Sequence, residues 1–586
     1  MTLDLNSLVL WFLFSITAYL AQFASFGADN LTTIISPVDP RVKGSYKVPE
    51  GVCQTAFDTQ QQYTGWVNVP ANGTYETNLF FWFSLVGFFT ENGPRQIVQR
   101  GADRLGTVPR EWKWDRASNM LFIDQPNQVG FSYDTPTNSS LDLVSGAYMA
   151  PQPLPLNRLP PLFLNGTFPS LNTKNTANTT HIAAFVVWHM LQGFVSVFPQ
   201  YNPPGNSSLG VNLFAESYGG HYGPVFADVW KAENDKRHLD SSLVNSTLDI
   251  HLTALGINTY GLNLLTPVVA SLLNASFYES GGCPDLALQC QNGIAAMDSW
   301  YDIAQYLNTR AVQDAIGSVV NFTNVNYEVY IAFASTADSL LAIYIPKLAS
   351  LLVRGVRIGL MYGDRDYVCN WFGGEAVSLS IASSASSHYA TGFASAGYAP
   401  IFVNDTYVGG AVRQFGNLSF SRICQAGHSV PFYQPETVFQ VFARIMLGTS
   451  VSTGGQFDLA TYNTSGPANA LSSLSLPFSP APTCYIRDIG NSCPEEAVSS
   501  LLNGKGVIIN GVWYAKSANW PGATLTGSAT ASLSTSIPWT GVYAASNPPS
   551  SRRNPASGAI HIARTTAVLI GAQCRFIREA WPKMAE

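Results

Sequence analysis

Three apolar runs, NMLFIDQP (residues 119–126), VNLFAES (211–217) and VRIGLMYGD (356–364), end in polar residues and lead through short loops into helix-like sequence. A strand that is apolar on both faces must be covered on both, and a recurring strand, loop and helix rhythm is how a parallel sheet obtains that cover. The chain therefore predicts an α/β sheet whose chemistry lies at the carboxyl ends of its strands, where the polar residues fall.

Antiparallel strands extend this sheet at the start of the chain. Residues 61–69 and 76–83 alternate or run apolar around Asn72-Gly73, a strong hairpin signal. Residues 232–348 carry longer apolar periodicities and few strand signals, so most of this segment is expected to form a helical cap insertion over the site. Beyond residue 470 the composition turns to Ser, Thr, Ala, Gly and Pro, which predicts a linker or tail over residues 471–586 with no assigned role. The apolar stretch 565–572 within it is too short to cross a bilayer.

Charged residues make up only 12% of the 586 residues and the net charge is −6, with no sustained Lys/Arg run, so no footprint for nucleic acid is present. Residues 8–21 are apolar and precede small residues near Ser25 and Gly27, which reads as a secretory signal over 1–27. The usual basic residues before it are absent, leaving an uncleaved anchor as the alternative; stable membrane insertion is otherwise not expected. Twelve Asn-x-Ser/Thr sequons between Asn30 and Asn463 fit an exported glycoprotein whose N-glycans keep a charge-poor surface soluble. Eight cysteines suit a few disulfides, with Cys283 and Cys290, and Cys484 and Cys493, spaced to close short loops.

The segment FAESYGGHYGP (214–224) sets Ser217 between an apolar strand and a helix, the arrangement of a nucleophile elbow, with Ala215 in place of the usual first glycine. A serine hydroxyl becomes a nucleophile when an imidazole takes its proton, and the imidazole needs a carboxylate to fix its tautomer. MYGDRDYVCNWFGG (361–374) ends a strand with two acids, Asp364 and Asp366, between which the residues alone do not choose. CQAGHSVPFYQPE (424–436) presents His428 in a small-residue loop before a helix. The order Ser, Asp, His is that of the α/β-hydrolase fold: a mixed, mostly parallel sheet flanked by helices, here with a helical cap.

Together, ESYGGHY, GDRDYVCNW, AGHSVPFYQP, ENGP and DQPNQVGFSY resemble the serine carboxypeptidases, whose motifs recur in order from about residue 36 to 448. The resemblance implies a catalytic domain over 28–470 and an exopeptidase releasing C-terminal amino acids in acid, with peptide or protein C-termini as its substrates. It selects Asp366 as the triad acid beside Ser217 and His428, and implies Glu91 and Glu216 as carboxyls that share protons with the substrate carboxylate. It also places Cys369 near the site as a thiol lining the pocket; the alternative is a disulfide with Cys424, four residues before His428. No metal cluster such as HExxH occurs and a triad hydrolase requires no cofactor. Location follows as secreted, with an acidic vacuole-like compartment as the alternative.

The chain departs from this family in one place. Between its early strand and ENGP it lacks a further core strand and the turn NGGPG, roughly twenty residues. That turn gives the family one backbone N–H of its oxyanion hole, the other coming from the residue after the nucleophile, here Tyr218. Loss of one donor lowers the rate by about 10²–10³. The junction Phe83–Ser84 joins matching segments cleanly, as a skipped coding segment does. Besides a peptidase acting through an acyl-enzyme, the sequence leaves two readings open: an acyltransferase on the same scaffold, and a noncatalytic glycoprotein.

Overall fold

The computed structural model describes residues 31–36, 39–52, 61–69, 75–83, 92–99, 105–143, 145–155, 163–201, 208–258, 303–304, 306–323, 326–338, 343–366, 369–404, 407–470, 484–485, 489, 493–509, 512–519 and 566–572. The proposed signal, Glu91, Ser84, Cys53, Cys283, Cys290 and Cys574 lie outside these residues.

The principal sheet is twelve-stranded. Its members are β1 (Thr32–Ile35), β2 (Lys43–Lys47), β3 (Tyr63–Val69), β4 (Thr77–Phe83), β5 (Asn119–Ile123), β6 (Ser208–Ser217), β7 (Asp249–Asn258), β8 (Arg357–Gly363), β9 (Ala399–Asn404), β10 (Tyr407–Phe415), β11 (Leu418–Ile423) and β12 (Thr566–Ala572). The spatial order is β1-β2-β3-β4-β5-β12-β6-β7-β8-β11-β10-β9. From β5 to β11 every neighbour is parallel, while the strands on either flank are antiparallel. The hairpin predicted around Asn72-Gly73 is the β3–β4 pair, with Tyr63 opposite Phe83 and Val69 opposite Thr77.

Strands β5, β6 and β8 are buried on both faces because alternate side chains enter different cores. Leu121, Leu213 and Leu360 join one apolar cluster, whereas their neighbours Phe122, Phe214 and Met361 join another. The first cluster is covered by α1 (Thr180–Val197), α2 (Gly219–Leu239), α5 (Tyr344–Val353) and α6 (Trp371–Ala385); α7 (Pro435–Met446) covers the second. Between α2 and α5 run two shorter helices, α3 (Arg310–Ile316) and α4 (Tyr327–Ala334). Among the described residues α1 is the one helix long and apolar enough to cross a membrane, and most of it is buried in the fold. It starts where Thr179 accepts a hydrogen bond from the Ile182 N–H, a side-chain N-cap.

Two expectations are corrected. The cap was placed from residue 232, but residues 219–239 are one helix behind the nucleophile and 249–258 is a core strand. DIHLTALGIN lacks a clean alternation because its carboxyl half is buried on both sides, so its period resembles that of buried helix. The tail also contains regular structure. Cys484–Tyr485, Val512–Tyr514 and Val507–Ile509 form a small antiparallel sheet beside α8 (Glu495–Leu502). The disulfide Cys484–Cys493 closes the short loop read from the spacing. Farther on, the apolar stretch set aside as too short for a bilayer is β12, in the middle of the principal sheet.

Candidate active site

Because β6, β7, β8 and β11 are parallel, their carboxyl ends share one edge of the sheet. Ser217 is the last residue of β6 and takes φ +58°, left-handed backbone that a residue with a Cβ adopts only under strain. Tyr218 returns to right-handed helical backbone and caps α2. That reversal makes the sharp strand-to-helix turn of a nucleophile elbow. Gly223 in the overlying helix packs over this turn, where an added Cβ would stand 3.1 Å from Leu255 Cδ1 and in ordinary contact, 3.6 Å, with the Ala215 Cβ. Ser217 Oγ is buried and has no hydrogen-bond partner among the described residues.

Asp366 and His428 come together at the same edge, following β8 and β11. His428 Nδ1 lies 2.8 Å from Asp366 Oδ2, and both residues are buried. The other carboxylate oxygen, Oδ1, accepts the Cys369 N–H at 3.0 Å. The acid is thus held at both oxygens, which fixes the imidazole with Nε2 directed away from it. Asp364 turns elsewhere, towards Arg365 at 3.4 Å and Arg422 at 3.6 Å. Burial pushes its carboxyl pKa up, opposed by those two guanidinium groups. Between the two acids of GDRD, only the second reaches the histidine. The close fit of strand and loop depends on Gly363, where a Cβ would meet the Ala426 carbonyl oxygen at 2.3 Å and that of Gly427 at 2.5 Å.

Cys369 and Cys424 are buried thiols and are not joined to each other, so the alternative disulfide is not formed. Cys369 Sγ, the Asp366 carboxylate and the His428 ring lie within 4.8 Å of one another, the one group of donors among the described residues compact enough for an ion. Both carboxylate oxygens of Asp366 are already engaged, an arrangement suited to orienting an imidazole. Burial raises the Cys424 thiol to about 12, keeping it protonated and unreactive at neutral pH.

Glu216, beside the nucleophile, is half-buried and accepts a hydrogen bond from Asn258 Nδ2 at 2.9 Å, at the end of the next strand. Its expected partner Glu91 is not among the described residues, but the adjoining Asn92 is buried, its carbonyl accepting the Trp114 N–H at 3.0 Å. Asp124, at the end of β5, is pushed up to about 7 by burial, opposed by the Phe131 N–H that it accepts at 2.9 Å.

The motifs did not signal Asp338. Its carboxylate accepts the Tyr218 hydroxyl at 2.9 Å, the Thr180 N–H at 3.0 Å and the Thr180 hydroxyl. One buried acid thereby ties the residue after Ser217 to the start of α1, and the bland sequence around it, STADSL, gives no cue.

This edge of the sheet has the layout of an α/β-hydrolase. The profile of the serine carboxypeptidase family matches residues 83–249 and 286–448. The chain belongs to the serine carboxypeptidase family, a family of hydrolases. It is 32% identical to carboxypeptidase S1 homolog A of Arthroderma otae, over 84% of this chain and 89% of the relative. It is also 32% identical to the Trichophyton rubrum protein of the same name, over 86% and 92%. Carboxypeptidase S1 of Penicillium janthinellum is 25% identical, over 69% of this chain and 99% of its own length. A prohormone-processing carboxypeptidase from Saccharomyces cerevisiae superposes with a TM-score of 0.47 at 17% identity, over 68% of this chain and 94% of that one.

Proposed function

We propose that this chain is a secreted carboxypeptidase that removes C-terminal amino acids from peptides in an acidic medium, through an acyl-enzyme on Ser217. The observation that carries the reading is the strained Ser217 at a strand-to-helix turn, on the same sheet edge as the His428–Asp366 pair. Ser217 Oγ bonds to the scissile carbonyl carbon, the π pair moves to oxygen, and the proton passes to His428 Nε2. Collapse breaks the C–N bond, and that proton leaves on the departing amino acid. Water then repeats the sequence on the ester and frees Ser217. The Tyr218 N–H faces the developing oxyanion.

Recognition of the free C-terminus falls to Glu216 with Glu91. A protonated carboxyl donates to the substrate carboxylate, so acid favours binding. An acid medium also suits the fold, since burial pushes the Asp124 carboxyl up to about 7 and so favours the folded state at lower pH. The Cys484–Cys493 disulfide and the sequons support export. Cys369, whose sulfur is grouped with Asp366 and His428, is the thiol that lines the pocket in this reading.

A fluorophosphonate probe and a blocked dipeptide substrate test the proposal on the full chain. Labelling of Ser217, acid-favoured release of the terminal residue and loss of both in Ser217→Ala are expected. Failure of the native chain to label would turn the reading towards a noncatalytic glycoprotein, and ester transfer outpacing hydrolysis would turn it towards an acyltransferase.

A further inference from the structure

The strand missing from the middle of the chain leaves a slot in the sheet, and β12 fills it. β12 is parallel to β5 on one side, Thr566 opposite Asn119 through Leu569 opposite Phe122, and parallel to β6 on the other, Val211 opposite Thr566 through Ser217 opposite Ala572. With the slot empty, β5 and β6 would each present an unpaired row of N–H and C=O groups at the centre of a buried sheet, where water cannot satisfy them. β12 satisfies both rows. TAVLIGA, a short apolar run rich in β-formers, is the kind of sequence that such a position accepts.

Register fixes where this strand ends. Gly571 is level with Glu216 and Ala572 with Ser217, one strand spacing of about 4.8 Å away. β7, β8 and β11, which deliver Asp366 and His428, lie on the other side of β6. A carbonyl attacked by Ser217 therefore has the imidazole on one flank and the end of β12 on the opposite flank. The fold requires two converging N–H donors for the oxyanion, one after the nucleophile and one from the end of the neighbouring strand.

We propose that the backbone N–H of Ala572 is the second oxyanion donor, so that the tail strand replaces the glycine turn which the chain lacks. This rests on the acyl-enzyme reading above. The electron pair from the carbonyl collects on oxygen between the Tyr218 and Ala572 N–H groups and returns to carbon when the C–N bond breaks; no further reactant takes part.

Two measurements on the full chain test it. In hydrogen exchange read by mass spectrometry, the amides of 566–571 should be protected as strongly as those of 211–216; exchange at the rate of an open tail overturns the placement. In the second, lactic acid in place of Ala572 turns its N–H into an ester oxygen of nearly the same shape. The expected result is a fall in kcat of about 10²–10³ with KM and Tm little changed. An unchanged kcat overturns the proposal, while Ser217 labelling in the native chain keeps the peptidase reading standing. Ala572→Pro removes the same N–H by ordinary mutagenesis, and its Tm separates loss of folding from loss of the donor. A native chain that neither labels nor hydrolyses, with 566–571 protected, sinks the acyl-enzyme reading and the donor role together.

Discussion

The two acids of GDRD sit two residues apart and do different work. Asp366 meets His428, while Asp364 lies between Arg365 and Arg422. Asp366→Asn is expected to lower kcat by about 10⁴, by analogy with other serine triads, with KM little changed. Asp364→Asn should leave kcat within a few-fold and act on Tm instead, and steady-state kinetics beside thermal unfolding separates the two. Asp124 sets a pH dependence whose sign follows from its raised value. From about pH 4 to about pH 7 the folded chain keeps a proton that the unfolded chain, with an ordinary carboxyl near 3.8, has lost. Stability therefore falls as pH rises through that window and levels off above it. Asp364 is shifted in the same direction and adds to the trend. Asp124→Asn is expected to flatten the Tm-against-pH profile over this range, by an amount on the order of 4 kcal/mol at most; a slope unchanged in the variant argues against Asp124 as its source. Tyr218 and Asp338 mark the limit of what local sequence tells at this scale. The backbone role of Tyr218 follows from its place after the nucleophile, but its hydroxyl partner lies 120 residues away and has no motif around it.

At the scale of elements, the site depends on how closely β8 approaches the loop that carries His428. Gly363→Ala sets a Cβ against two carbonyl oxygens of the backbone, which cannot rotate aside. The expected cost is about 1–3 kcal/mol in stability, read from Tm. Displacing the imidazole by even 1 Å costs roughly a further 10²-fold in kcat. The hairpin β3–β4, the strands β5, β6 and β8 and the elbow at Ser217 were legible because each has a local cause: a turn dipeptide, an apolar run ended by polar residues, or a small-residue loop. β7 was not, since a strand covered on both faces loses the alternation that distinguishes it from buried helix. β12 was not either, for a different reason. Its seven residues fit a strand, but its place lies between β5 and β6, two strands far away in sequence, and only the register of three strands reveals it.

Across the whole molecule, the glycans proposed for this charge-poor surface require sequons that the fold leaves accessible. Asn138, Asn245, Asn404 and Asn463 are exposed, whereas Asn321 is buried and accepts a hydrogen bond from Gln313 Nε2. Glycopeptide mass spectrometry of the protein expressed through a secretory host should find glycan at the first four and bare asparagine at 321; glycan at Asn321 would contradict this packing. The sheet itself joins distant parts of the chain, because β12 is made hundreds of residues after the strands that it separates. During synthesis, β5 and β6 must wait as raw edges with nothing between them, a state that invites pairing with other nascent chains. The sheet consequently cannot be assembled in the order in which it is translated: the strand at its centre is laid last, long after the two edges that it joins.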